Sequence, residues 1–305
     1  MKKFKTGIAL GGGGARGLAH IGILETLRQN GIVINAISGT SMGSVVGALY
    51  ATDSDTRAVE KKLTGFIESE SAKNGAVFFS KKAATRPFGK ILSRAKQFFI
   101  MNRAVIGPSI LSAEQVEKIF RELALPETFD NLKIPFCSVA MDIGKGDEKI
   151  FFNGNLKRAV LASSSIPGIF PPVEINGAHY LDGGSVNSVP VSPLRPYCDF
   201  VIACDVRPKR QIISKFNQGL AILSRADAIS SYKLSDLQIQ QADFIIKPDV
   251  SDIHWADFKK MGECIEKGRA AARENLKELK KAILTARIKN LTKRLFLKNV
   301  VSFEN

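Results

Sequence analysis

The sequence predicts an α/β fold built on a mostly parallel sheet, and three observations predict it. Short apolar runs alternate with helix-like patterns through the first half of the chain, and glycine clusters stand where strands pass into helices. Further on, apolar runs rich in β-formers are separated by Gly and Asn-Gly turns. At 305 residues and 45% hydrophobic content, the chain is long enough for one large α/β domain with an appendage.

In order, residues 6–10 read as a strand, and four glycines follow. Residues 18–29 read as a helix with Leu18, Ile21, Leu24 and Leu27 on one face. Residues 32–37 are the next predicted strand and 42–51 the next helix. Ser112 opens another helix with Gln115 three residues on, a capping-box spacing, and Val116, Ile119, Phe120 and Leu123 form its apolar stripe. Residues 134–141, 149–152, 173–175 and 178–181 are strand-like, with turns at Gly144 and Gly146, Asn153-Gly154 and Asn176-Gly177. Residues 200–204 and 244–246 complete the set as later buried strands.

Composition narrows the setting. Cys137, Cys198, Cys204 and Cys264 make no CxxC pair and are too sparse for a disulfide scaffold or a zinc site, so they read as buried thiols in a reducing compartment. Lys2, Lys3 and Lys5 precede only three apolar residues before the glycines, which is too short for a signal-peptide core. The longest uncharged stretch, 29–52, is interrupted by Asn, Ser, Thr and Gly and is not a membrane span of about 20 apolar residues. The expectation is a cytoplasmic protein. Its net charge of +15 is concentrated: residues 69–105 hold eight basic groups against Glu70 alone, residues 259–298 hold thirteen against four acidic ones, and the remainder is nearly neutral.

The chemistry lies in three glycine-containing motifs. Gly39-Thr40-Ser41-Met42-Gly43 is a GxSxG pentapeptide between an apolar strand and an apolar helix, the setting a nucleophile elbow requires. The alternative is a plain βα turn with a solvated serine. Gly11 to Gly17 also leaves a strand and opens a helix, and contains GxGxxG. A dinucleotide site would want an acidic residue about 20 positions on, where this chain reads Asn35-Ala36-Ile37-Ser38. The other reading is an oxyanion hole made of consecutive glycine amides, with the Met42 amide adding to it. A P-loop is disfavoured because GxxxxGK[ST] is absent.

A nucleophilic serine needs a base, and the three histidines, His20, His179 and His254, have no motif around them and read as structural or solvated. Asp182-Gly183-Gly184 follows a predicted strand. By itself it is an ordinary turn or an active-site loop in which glycines admit close backbone approach.

Together, GGGGARG, GTSMG and DGG, in that order and separation, resemble the patatin-like phospholipase family. Leu18-Ala19-His20-Ile21-Gly22 and the run Ser163-Ser164-Ser165-Ile166-Pro167-Gly168-Ile169-Phe170-Pro171-Pro172 are also similar to it, so the likeness covers roughly residues 5–205. The resemblance implies a three-layer α/β/α sandwich acting on lipid acyl esters through a Ser/Asp dyad, without metal or cofactor. Carried over, Ser41 is the nucleophile and Asp182 the proton acceptor, with Gly12, Gly13 and Gly14 in the oxyanion hole and Arg16 holding that loop. An acyl-serine could instead be resolved by another acceptor, making the protein an acyltransferase or thioesterase. A non-catalytic membrane-associated regulatory protein is the third reading.

The expected layout is a catalytic domain over 1–250, with a basic insertion or lid at about 69–110, and a basic helical extension over 251–305. Ile91, Leu92, Ala95, Phe98 and Phe99 alternate with cations at helical spacing, and Leu276, Leu279, Ile283, Leu284, Ile288, Leu291 and Leu295 make a second stripe. Peripheral contact with an anionic membrane through 69–105 and 259–298 is therefore expected. Nucleic acid is not, since no helix-turn-helix, zinc or RNP-like signature accompanies the charge.

Overall fold

A computed structural model describes residues 3–70, 107, 109–210, 212 and 219–301. The strands are β1 (Thr6–Leu10), β2 (Ala36–Thr40), β3 (Phe136–Asp142), β4 (Asp147–Phe151), β5 (Val173–Ile175), β6 (Ala178–Asp182), β7 (Phe200–Cys204) and β8 (Phe244–Ile246). They form one sheet in the order β5-β6-β3-β2-β1-β7-β8, with β4 paired to β3. From β3 to β8 along that path neighbours are parallel, whereas β4, β5 and β6 join antiparallel. The helices are α1 (Ala19–Gln29), α2 (Met42–Asp53), α3 (Thr56–Glu68), α4 (Ala113–Arg121), α5 (Leu156–Ser163), α6 (Gly219–Ile239) and α7 (Met261–Val301).

Strand alternation sorts the two faces. Ile8, Leu10, Ile37, Ile202 and Cys204 belong to a large core shared with α1, α2, α3, α4, α5 and α7. Ala9, Val201 and Ala203 face a smaller cluster with Val189, Val191, Leu194 and Ile239, supplied by the 186–198 segment and the end of α6. The fold is thus a three-layer α/β/α sandwich, thick on one face and thin on the other.

Several predicted elements have shifted limits. The second strand begins at Ala36 rather than residue 32 and runs on to Thr40. Asn35 marks the limit: its amide donates to the Thr6 carbonyl at 2.8 Å and its side-chain oxygen accepts from the Thr6 amide at 2.9 Å, where β1 itself begins. The predicted capping box is present, with the Ser112 hydroxyl accepting from the Gln115 amide and the Gln115 side chain accepting from the Ser112 amide. The sequence reading did not anticipate α3, α5 or α6. In α6, Ile222, Leu223, Ile229, Leu234 and Leu237 are exposed, so its apolar residues do not mark the face that packs.

Residues 71–105 of the first basic stretch, and with them most of the insertion at 69–110, lie outside the described residues. The second basic stretch forms α7, which runs alongside α1 and buries Cys264, Ile265, Ala272 and Leu279 in the main core. Gly22 and Gly268 allow this, because a Cβ on either would collide with backbone of the opposite helix.

Candidate active site

Parallel pairing of β1 with β2, Leu10 opposite Gly39, brings both glycine turns out at the same edge of the sheet. The second is a sharp elbow. Ser41 has φ 55° and ψ −126°, a conformation that L-residues adopt only under strain. Glycine is required at both ends of the pentapeptide: a Cβ on Gly39 would lie 2.5 Å from the Gly43 carbonyl oxygen, and one on Gly43 would overlap the Leu10 carbonyl. The elbow is also held by hydroxyls. The Ser41 amide donates to Ser163 Oγ at 3.0 Å, and Ser163 Oγ donates to the Val139 carbonyl at 2.6 Å. Thr40 Oγ1 donates to the Asn187 carbonyl at 2.8 Å, and Ser38 Oγ to that of Pro190.

The first glycine turn lies against Ser41, since a Cβ on Gly12 would be 3.2 Å from the serine Cβ. Its amides divide into two kinds. Those of Gly11 and Gly12 donate to the Cys204 and Ser188 carbonyls at 3.0 and 2.9 Å. The Gly12 amide, expected among the oxyanion donors, is therefore already engaged, and Gly12 contributes by lacking a side chain. The amides of Gly13 and Gly14 have no acceptor among the described residues, nor does that of Met42 at the first turn of α2. Arg16 Nε donates to the Gly13 carbonyl at 3.2 Å, and the Ala15 amide donates to the Trp255 carbonyl at 2.7 Å, so the loop is fixed from both sides.

Asp182 ends β6, opposite Ala140 of β3, and its amide donates to the Ser165 carbonyl at 2.8 Å. The side chain is buried and accepts from the Gly184 amide at 2.8 Å. Burial pushes its carboxyl up to about 6, against the downward pull of hydrogen bonding from the Ser41 hydroxyl and the Gly184 amide. α6 straps this loop in place: Ser231 Oγ donates to the Gly184 carbonyl at 2.9 Å and Gln238 Nε2 to that of Val186 at 2.7 Å.

Ser41, Asp182, Gly12, Gly13, Gly14 and Arg16 line one cavity of about 360 Å³. Met42 lies on the other side of Ser41, in an apolar cleft of about 160 Å³ walled by Val45, Phe66, Leu111, Phe120 and Phe170. No histidine lines either space. His20 is wholly buried; its Nε2–H donates to the Gly11 carbonyl at 2.7 Å, and burial lowers its pKa to about 4, so it is a neutral clamp on the glycine turn. His179 and His254 are exposed.

Three contributors escaped the sequence reading. The Ser163 and Ser164 hydroxyls, which support the Ser41 amide and carbonyl, stood in the resemblance only as letters of a run. Trp255 reaches the glycine turn from 240 residues away in sequence, and no local signal marks it.

The chain is similar to known proteins in sequence and in fold. The family model described as patatin-like phospholipase matches residues 8–195. An uncharacterized NTE family protein of Mycobacterium tuberculosis is 31% identical over 190 residues, which are 62% of this chain and 45% of that protein. Lysophospholipase NTE1 of Candida glabrata is 33% identical over 201 residues, covering 66% of this chain and 10% of the relative. The chain thus spans less than half the length of these relatives. Among solved structures, VipD from Legionella pneumophila superposes with a TM-score of 0.51 at 14% identity, over 91% of this chain and 67% of that one, a likeness of fold. With its glycine loop, serine elbow and Asp-Gly-Gly turn meeting at one cavity, the chain belongs to the patatin-like phospholipase family.

Proposed function

We propose that the protein is a serine acyl-hydrolase of lipids, of phospholipase or lysophospholipase type, working through a Ser41–Asp182 dyad. The observation that carries this is the shared cavity: a serine on a strained elbow faces a buried carboxylate, and an apolar cleft opens beside it.

In the proposed reaction the acyl chain lies in the cleft, and Ser41 Oγ attacks the ester carbonyl while its proton passes to Asp182. The carbonyl oxygen becomes an oxyanion facing the unengaged amides of Gly13, Gly14 and Met42. The ester C–O bond then breaks, and the leaving alcohol takes the proton from Asp182. Water, deprotonated by Asp182, attacks the acyl-serine; the acyl–Oγ bond breaks, Ser41 Oγ takes that proton back from Asp182, and the fatty acid leaves. A carboxylate of ordinary pKa is a weak base for such a step, and burial that raises it to about 6 improves the match to neutral pH.

A fluorophosphonate probe tests the assignment. Wild-type protein is expected to be labelled on Ser41 and to release fatty acid from lysophospholipid, whereas Ser41→Ala does neither. Labelling at another serine removes the proposal.

Membrane contact belongs to the same reading. Among the described residues no helix is long and apolar enough to cross a bilayer. On α7, Leu284, Ile288 and Leu291 are exposed beside Lys280, Lys281 and Arg287, a ridge suited to anionic lipid. Binding to anionic vesicles that falls with salt is the expected result, and equal binding to neutral vesicles counts against it.

A further inference from the structure

Ser41 lines two hollows, the catalytic cavity and the acyl cleft, and a third adjoins the first. Arg16 and Trp255 line the catalytic cavity and also form one wall of a third space of about 400 Å³. Its other walls come from the segment after β7, from α6 and from the 251–255 turn.

The charge of this hollow is one-sided. Arg16, Lys209, Arg210 and Arg225 line it, against Asp252 as the single carboxylate. Asp252 is already paired with Lys267 at 2.9 Å. Lys209 pairs with Asp249 at 2.6 Å and Arg210 with Asp236, but neither of those acids lines the space. Arg16 gives its Nε–H to a neutral carbonyl, that of Gly13. Because the Lys209 amide donates to Ser251 Oγ at 2.9 Å, this wall is tied to the 251–255 turn. The result is a preformed cationic pocket, roomy enough for a hydrated anion, that shares Arg16 and Trp255 with the catalytic cavity. Guanidinium forks and an ammonium suit the tetrahedral oxygens of phosphate better than a planar neutral group.

We propose that this hollow is a phosphate-binding subsite, and that the phosphate it takes is the one on the alcohol side of the ester, with the acyl chain in the opposite cleft. The ester part of this rests on the hydrolase reading above; the anion site rests on the pocket alone. An acyl ester carrying a phosphate is then preferred over a neutral acylglycerol of the same chain length.

The test pairs binding with kinetics on the full chain, using the double variant Lys209→Gln/Arg225→Gln, which leaves the catalytic residues in place. Trp255 is the only tryptophan and lines the pocket, so its fluorescence reports occupancy. Inorganic phosphate and glycerol 3-phosphate are each expected to change that fluorescence saturably and to give a calorimetric binding heat. The double variant is expected to need about tenfold more ligand, the cost of losing one or two charge-assisted hydrogen bonds. In the kinetic arm, its KM for acylglycerol 3-phosphate is expected to rise about tenfold, with monoacylglycerol hydrolysis unchanged. If both probes bind and the variant loses them while that KM stays fixed, the pocket serves a soluble phosphate and the headgroup assignment falls. Absence of binding by both fluorescence and calorimetry overturns the subsite. Failure to cleave either ester strikes the hydrolase reading and leaves the binding result standing.

Discussion

The two glycine turns leave neighbouring strands at the same edge of the sheet, yet they use their backbone groups differently. At the elbow the bonds of Ser41 itself are closed, and the next amide, that of Met42, is left without an acceptor among the described residues. Ser41 donates its amide to Ser163 Oγ, and its carbonyl accepts from the Ser44 and Val45 amides at 2.9 and 3.1 Å. At the first turn the Gly11 and Gly12 amides are engaged, and those of Gly13 and Gly14 are left open among the described residues. Asp182 sits on the open side too, desolvated and held by little more than Gly184 and Ser41. The difference teaches where stability and chemistry reside: saturated groups hold the strained serine, and unsatisfied ones wait for a ligand. It follows that damage to the closed side should cost stability, whereas neutralising the open side should cost activity and can add stability.

The largest expected effect is on the closed side. Gly43→Ala pushes a methyl into the Leu10 carbonyl and the backbone of Gly11, neither of which can rotate away. We expect a loss of more than about 4 kcal/mol, seen as insoluble protein or a melting temperature lowered by many degrees. Gly13→Ala is the control from the open side. Its Cβ would meet mainly the Val206 Cγ2 atom at 2.8 Å, a side-chain tip that can turn, and the cost should be only about 1–2 kcal/mol. Similar melting temperatures for the two variants would erase the distinction.

Asp182→Asn probes the open side. The folded carboxyl is raised from 3.8 to about 6, mainly by burial, so the folded state holds this proton more tightly than the unfolded chain does. That contribution is fully present below about pH 4 and is lost as pH rises through 6, which leaves the ionised group costing on the order of 2–3 kcal/mol at pH 8. Asp182→Asn should therefore be more stable than wild type at pH 8 by about that amount, and no more stable at pH 4. Its kcat should fall by roughly a thousandfold or more, the scale of removing a proton acceptor from a dyad. Wild-type kcat/KM should climb with pH through about 6 and then level. A variant that is inactive and also destabilised at pH 8 would show that Asp182 has a structural role instead.

How much of this was legible follows the range of the interactions. The elbow, the glycine loop and Asp182 each sit at a strand end within a few residues of a glycine, so a local pattern marks them. Residues 6–10, 173–175, 200–204 and 244–246 have the strand limits expected because their apolar runs stop where the strands do. What stayed hidden is long-range. Ser163 lies 122 residues from the amide it supports. Trp255 contributes a carbonyl, which any residue could supply. Apart from Ile239 at its end, α6 packs through Ser231, Tyr232, Ser235 and Gln238 while exposing Ile222, Leu223, Ile229, Leu234 and Leu237, the reverse of the pattern from which helices are read. Gly12 is the instructive partial case: its place beside Ser41 could be expected, but the diversion of its amide to Ser188 depends on a segment 176 residues away.

The smallest of the three effects tests whether the elbow depends on that distant hydroxyl. Ser163 Oγ is buried, accepts from the Ser41 amide at 3.0 Å and donates to the Val139 carbonyl at 2.6 Å, so Ser163→Ala leaves an amide proton in the interior with no acceptor. An unsatisfied buried donor costs about 1–3 kcal/mol, and that loss should appear in denaturant unfolding as a lower midpoint at unchanged slope. Because the strained Ser41 conformation is fixed partly by this bond, kcat should fall about tenfold while KM stays close to wild type, the split expected when the nucleophile is misplaced but the acyl cleft is intact. Ser163→Thr keeps the hydroxyl and should recover much of both losses. If Ser163→Ala unfolds at the wild-type midpoint with unchanged kcat, the closed side is held by the glycines and carbonyl bonds alone.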